Sequence, residues 1–185
     1  VLFGDGAGAV LLEAAEGTGE NTDRGILASD LNSDGRYREM LYVDGGVSTT
    51  GTAGKLRMQG NPLFRQAVEK LAATADAALG KAGLTHGDVD WIVPHQANIR
   101  IIDSACDKLG FDRDQTALVL QSTGNTSAAS IPLALAEALD QGRVRDGDLV
   151  LLAEDETWTS GSVGLRVVDT PARFSGLQLD ALPNP

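Results

Sequence analysis

The chain has 185 residues, of which 42% are hydrophobic and 22% charged, a composition that supports one buried core and excludes a disordered or collagen-like polypeptide. Fifteen basic against twenty-six acidic residues give a formal charge of -11, the wrong sign for a protein that grips nucleic acid by neutralising phosphates. The single cysteine, Cys106, cannot form an internal disulfide, no His/Cys cluster has metal-ligand spacing, and no apolar run reaches bilayer length, so the expectation is a reducing, cytoplasmic setting with no metal and no membrane partner.

In chain order, residues 1–16 read as a short strand, a glycine turn and a second apolar run at 9–12, followed by a polar break at 16–21. The chain opens on Val1 within an apolar run, which suggests a piece of something longer. Residues 26–28 open another strand, and 32–60, rich in Gly, Ser, Thr and Asp, read as a long surface excursion. Asn61-Pro62 starts a helix in which Phe64, Ala67, Leu71, Ala75 and Ala78 recur at helical spacing until Gly83. Residues 89–93 form a strand stopped by Pro94, and 97–109 a second helix with Ile101, Ile102, Ala105, Cys106 and Leu109 on its apolar face. A third strand at 117–120 leads into a helix of small residues, 127–139. Residues 149–153 and 163–168 read as two strands joined as a hairpin, with a loose tail after Thr170. The alternation of strand and helix over 61–139 predicts an α/β layered sheet covered by helices.

Two polar side chains follow predicted strands and precede predicted helices, where α/β proteins place their chemistry: His95 and Asn125. A neutral imidazole and an amide are suitable donors to an oxygen that gains negative charge. By spacing alone, a loop hydrogen bond for His95 and a helix cap for Asn125 explain the pair as well or better. Cys106, on the apolar face of a helix, reads as a small core residue rather than a nucleophile. Gly4-Asp5-Gly6-Ala7-Gly8-Ala9 fits a dinucleotide fingerprint, but only three residues of strand precede it. His86 reads as a loop histidine without a partner.

The words around the two side chains carry more information. Val93-Pro94-His95-Gln96-Ala97-Asn98-Ile99-Arg100, followed by Gly124-Asn125-Thr126-Ser127-Ala128-Ala129-Ser130-Ile131-Pro132, closely resembles the β-ketoacyl-acyl carrier protein synthase III family of the thiolase superfamily. Phe3 to Ala9, Ser33-Asp34-Gly35 with Tyr37, Met58-Gln59-Gly60-Asn61 with Phe64, and residues 148–153 agree in order. The resemblance implies a thiolase-like layered α/β/α fold, with residues 1–20 ending a truncated first half, 21–168 forming the second half of the duplicated unit, and 169–185 a tail.

It also implies a condensing enzyme of fatty acid or polyketide synthesis. In that family a cysteine of the first half, absent from this chain, takes an acyl group from acyl-CoA, and malonyl-acyl carrier protein then decarboxylates and attacks the thioester, without a further cofactor. His95 and Asn125 match the catalytic His and Asn that stabilise the enolate. Met58, Gly60, Phe64, Ala97 and Asn98 are implied to line the pantetheine tunnel, although Phe64 fits core packing equally well. Arg100, with Lys108 nearby, is the candidate docking point for the acidic carrier protein. The missing half and a second copy in a homodimer are the other implied partners.

One segment departs from the family. Where it has a glycine-rich turn that supplies a backbone N-H to an oxyanion hole, this chain has Glu154-Asp155-Glu156-Thr157. Side chains restrict that backbone and two carboxylates oppose a developing anion. That departure keeps open a divergent acyltransferase without condensation, and a non-catalytic partner subunit.

Overall fold

A computed structural model describes residues 3–153 and, by its backbone, the strand at 166–169. Its elements in chain order are β1 (Gly25–Ile26), β2 (Leu41–Val43), β3 (Leu56–Met58), α1 (Gly60–Ala82), β4 (Trp91–Pro94), α2 (Ile99–Leu109), α3 (Leu120–Thr123), α4 (Ser130–Asp140), β5 (Leu149–Ala153) and β6 (Arg166–Asp169).

The main sheet has the order β1-β6-β5-β4. At one end of this order β4 and β5 run parallel, pairing Trp91 with Val150 and Pro94 with Ala153, while β6 returns antiparallel to β5 and β1 antiparallel to β6. Consecutive strand residues point to opposite faces, and the packing follows that rule. Ile92, Leu151 and Ala153 face a cluster built from α1 and α2, including Leu71, Ala75, Ile102 and Cys106. Val93, Val150 and Leu152 face the other cluster, with Ile131, Ala134 and Leu135 of α4. Helices therefore cover both sides of the sheet, the expected α/β/α layering.

The helix ends are set by local chemistry. Asn98 accepts a hydrogen bond from the Ile101 N-H through its side chain and caps α2. Gly83 and Gly110 end α1 and α2 in the left-handed region, at φ 67° and 77°, where a Cβ is disfavoured. Pro62 lies in the first turn of α1 and Pro132 in that of α4, where no intrahelical bond is lost.

Three expectations need correction. The third strand shrinks to one bridge, Ile92 to Thr116, with the Ala117 N-H donating to the Ile92 carbonyl at 2.9 Å; beyond it the chain turns into α3. The excursion at 32–60 contains a 3-10 turn, Gly35–Met40, begun by Asp34, and the β2-β3 hairpin. Asp44 staples that hairpin, accepting from the Lys55 N-H at 2.7 Å and pairing with Arg57. The apolar run at 9–12 forms no strand: Val10, Leu11 and Leu12 are exposed, and no described residue pairs with them. The closing hairpin does form, with Arg166–Asp169 antiparallel to β5; residues 163–165 of the expected strand lie outside the described residues. The altered turn at Glu154-Asp155-Glu156-Thr157 lies outside the described residues, as does the tail.

Candidate active site

His95 leaves the C-terminal end of β4, and its backbone N-H donates to the carbonyl of Ala153, the last residue of β5, at 2.7 Å. It thus sits where the two parallel strands end, the edge at which open α/β sheets place ligands. Its Nδ1 lies 2.7 Å from Oγ of Ser130 at the start of α4. Burial pushes the His95 pKa from 6.5 down to about 4, opposed by the nearby Ser127 backbone, so the ring is neutral at pH 7. It is a donor through one nitrogen only.

Asn125 is buried and follows Gly124, whose φ of 67° and ψ of -164° suit only glycine. Its Oδ1 accepts the Ser127 N-H at 2.9 Å, a short side-chain turn that accompanies a positive φ of 56° at Ser127. With Oδ1 engaged, Nδ2 keeps its two donors uncommitted among the described residues. The backbone carbonyl of Asn125 accepts the Gly4 N-H at 2.9 Å. This explains the glycines of the first segment: a Cβ on Gly4 would collide with the Thr123 carbonyl, and one on Gly8 with the Pro132 ring. They let that segment lie against the Asn125 loop, which is a packing role.

Gln96 joins the two loops. Fully buried, it donates through Nε2 to the carbonyls of Pro94 and Ala117 at 2.8 and 3.2 Å. Its Oε1 accepts from the Val119 and Leu120 N-H groups at 3.0 and 3.2 Å. An amide side chain here satisfies backbone groups that a longer strand would have paired, and it uses its full bonding capacity to do so. Ser130, also fully buried, accepts the Gln96 N-H at 3.1 Å. Neither residue was marked by sequence pattern; a polar residue directly after His95, between apolar strand and helix, was the available signal for Gln96.

The remaining candidates lie at the adjacent ends of α1 and α2. Met58 closes β3, opposite Leu41, and is 46% exposed; Gly60 begins α1. Phe64, one turn later, is half-buried and outside both core clusters, with the Arg100 guanidinium 5.6 Å from its ring centre. Packing onto a cation at the surface therefore replaces the core alternative for Phe64. The Ala97 N-H donates to the His95 carbonyl at 2.9 Å, and Oδ1 of Asn98 is engaged in capping. Lys108 does not join Arg100 as a free cation, because it pairs with Glu69 at 2.8 Å. Arg65, exposed beside Phe64, forms no ion pair among the described residues.

Two smaller readings resolve differently. Cys106 is buried, its thiol 3.5 Å from the Thr116 hydroxyl and its pKa raised chiefly by burial, as a core residue should be. His86 does have a partner, Asp76 on α1 at 2.8 Å, and meets Phe111 edge-on. Among the described residues no group of three metal-ligating side chains comes together, and no helix is long and apolar enough to cross a membrane.

Residues 79–154 match the family described as 3-oxoacyl-[acyl-carrier-protein] synthase III, C terminal. A β-ketoacyl-[acyl-carrier-protein] synthase III of Rhodobacter capsulatus is 64% identical over 151 residues, which is 82% of this chain and 47% of the relative. One from Dinoroseobacter shibae is 59% identical over 169 residues, 90% of this chain and 52% of the relative. The crystal structure of a β-ketoacyl-[acyl carrier protein] synthase III from Thermus thermophilus superposes with a TM-score of 0.71 at 38% identity, covering 80% of this chain and 46% of that one. The chain spans about half the length of the curated relatives it matches. By sequence and by fold, the chain belongs to the β-ketoacyl-acyl carrier protein synthase III family, of which it carries the C-terminal part.

Proposed function

We propose that this chain supplies the decarboxylation half-site of a condensing enzyme that joins an acyl-CoA primer to malonyl-acyl carrier protein, in fatty acid or polyketide synthesis. One observation carries this reading: His95 and Asn125 are both tied to the single segment 125–130, through Ser130 and the Ser127 N-H respectively. This segment ties an amide, and a neutral ring that sits at the ends of β4 and β5, to one short stretch of chain.

Loss of CO2 from a malonyl thioester breaks a carbon-carbon bond and leaves its electron pair on an enolate. The thioester oxygen gains charge only as that bond breaks, so donors aimed at it stabilise the transition state more than the ground state. A His with a pKa near 4 is a neutral imidazole at pH 7, so it gives a hydrogen bond as a neutral donor rather than acting as an acid. The enolate carbon then attacks an acyl thioester held on a cysteine outside this chain, forming the new carbon-carbon bond as the carbon-sulfur bond breaks and the cysteine leaves as its thiolate. Met58, Gly60, Phe64, Ala97 and Asn98 form the proposed pantetheine path. Arg100 faces the carrier protein, and a second copy of the protein completes a homodimer. Residues 1–20 and 21–168 are assigned to the two thiolase-like halves.

In the full-length enzyme carrying this chain, His95→Ala lowers malonyl decarboxylation by about 10²- to 10³-fold, followed as CO2 release from malonyl-acyl carrier protein. An unchanged rate overturns the assignment. The carboxylates at Asp155 and Glu156 favour a second reading, acyl transfer without condensation; acyl-CoA turnover with no CO2 release would select it.

A further inference from the structure

We propose that Ser130 sets the tautomer of His95, holding the ring proton on Nε2 and so making that nitrogen the one that donates to the substrate oxygen in the mechanism above. The catalytic consequence rests on that mechanism, whereas the tautomer itself does not.

The argument follows the protons. Ser130 is fully buried, so its hydroxyl has only protein groups to bond. Its Oγ has two neighbours within hydrogen-bonding distance, the Gln96 N-H at 3.1 Å and Nδ1 of His95 at 2.7 Å. A backbone N-H can only donate, so the Gln96 contact uses Oγ as acceptor and leaves the hydroxyl proton without an outlet on that side. Nδ1 is the one acceptor left to it among the described residues. If Nδ1 carried the ring proton instead, whether directed at Oγ or at the Ser127 backbone, the Ser130 hydroxyl would be a buried donor with no acceptor, which costs about 1–3 kcal/mol. With the hydroxyl donating to Nδ1, every group is satisfied and the neutral ring keeps its proton on Nε2. That nitrogen makes no well-formed hydrogen bond among the described residues.

The chain leading into Ser130 supports a built arrangement rather than a chance contact. The Asn125 side chain ties down the Ser127 N-H at 2.9 Å, and Gln96, whose own N-H completes the Ser130 pair, is locked by four further bonds. Ser130 is therefore a positioning residue, acting on substrate through His95. A hydroxyl suits the task because it accepts from one neighbour while donating to another, which alanine cannot do.

The test is nitrogen-15 NMR of the His95 ring in the full-length enzyme at neutral pH, with the resonance assigned by its loss in His95→Gln. The expected result is a protonated Nε2 and an unprotonated Nδ1 in the natural enzyme, and a mixture of tautomers in Ser130→Ala. Ser130→Ala should also lower kcat for decarboxylation by about ten- to a hundredfold at unchanged KM, with thermal melting used to check that it folds. A protonated Nδ1 in the natural enzyme overturns the proposal without any variant, as does a tautomer that Ser130→Ala leaves unchanged. If the tautomer shifts but His95→Ala decarboxylates normally, the assignment of Ser130 stands and the condensation mechanism falls.

Discussion

At the scale of single residues, His95 links burial to pH. Its folded pKa of about 4 lies below the ordinary 6.5, so between these values the unfolded chain binds more protons than the folded one. Stability contributed by this group is complete above 6.5, falls as pH drops by up to about 1.4 kcal/mol per pH unit, and stops falling below about 4. Thermal melts from neutral pH down to about 4 should show this slope, and His95→Gln should flatten it. Carboxylates held low by hydrogen bonds, such as Asp34 beside Arg36, lose their contribution only below their ordinary 3.8 and do not mimic the effect. For Cys106 the expectation is silence: a buried thiol with a raised pKa has little thiolate to offer. Intact-mass spectrometry of the chain after incubation with acetyl-CoA should find no acyl adduct, and an adduct on Cys106 would overturn its core assignment.

Among the elements, the junction between β4 and α3 does most to shape the site. Replacing Gln96 by Leu keeps the volume roughly constant but leaves four backbone groups without their partner, and about 2–4 kcal/mol of stability should be lost, read as a lower midpoint in urea unfolding. A loss below about 1 kcal/mol would mean that water or rearranged backbone takes over those bonds. The same junction shows why sequence misjudged this region. Residues 117–120 are a short apolar run, and such a run has no period that separates strand from buried coil. The ladder that would have made it a strand is replaced by one side chain from another loop, which no local pattern reveals. By contrast α1 and α2 were legible almost to the residue, because helical spacing and the glycines at 83 and 110 act within a few residues of each other.

At the scale of the whole molecule, the chain carries the charge of -11 together with apolar side chains left uncovered, among them Leu11 at 84%, Leu31 at 62% and Val47 at 86% exposure. Apolar surface of this kind favours association, so the chain on its own should elute as a dimer or larger species in size-exclusion chromatography with light scattering. A single monomeric species across the concentration range would contradict this. The sequence by itself determined the family, the α/β class and the two long helices, and marked His95 and Asn125 as candidates, because motif words and hydrophobic periods are local properties. Only the tertiary structure decided that Ser130 meets His95, that Gln96 joins the two loops, that Phe64 meets Arg100, that Lys108 is occupied by Glu69 and that the run at 9–12 pairs with none of the described residues. Each of these depends on groups distant in the chain meeting in space, and hydrogen-bond and charge partners across such separations leave no periodic trace in a single sequence.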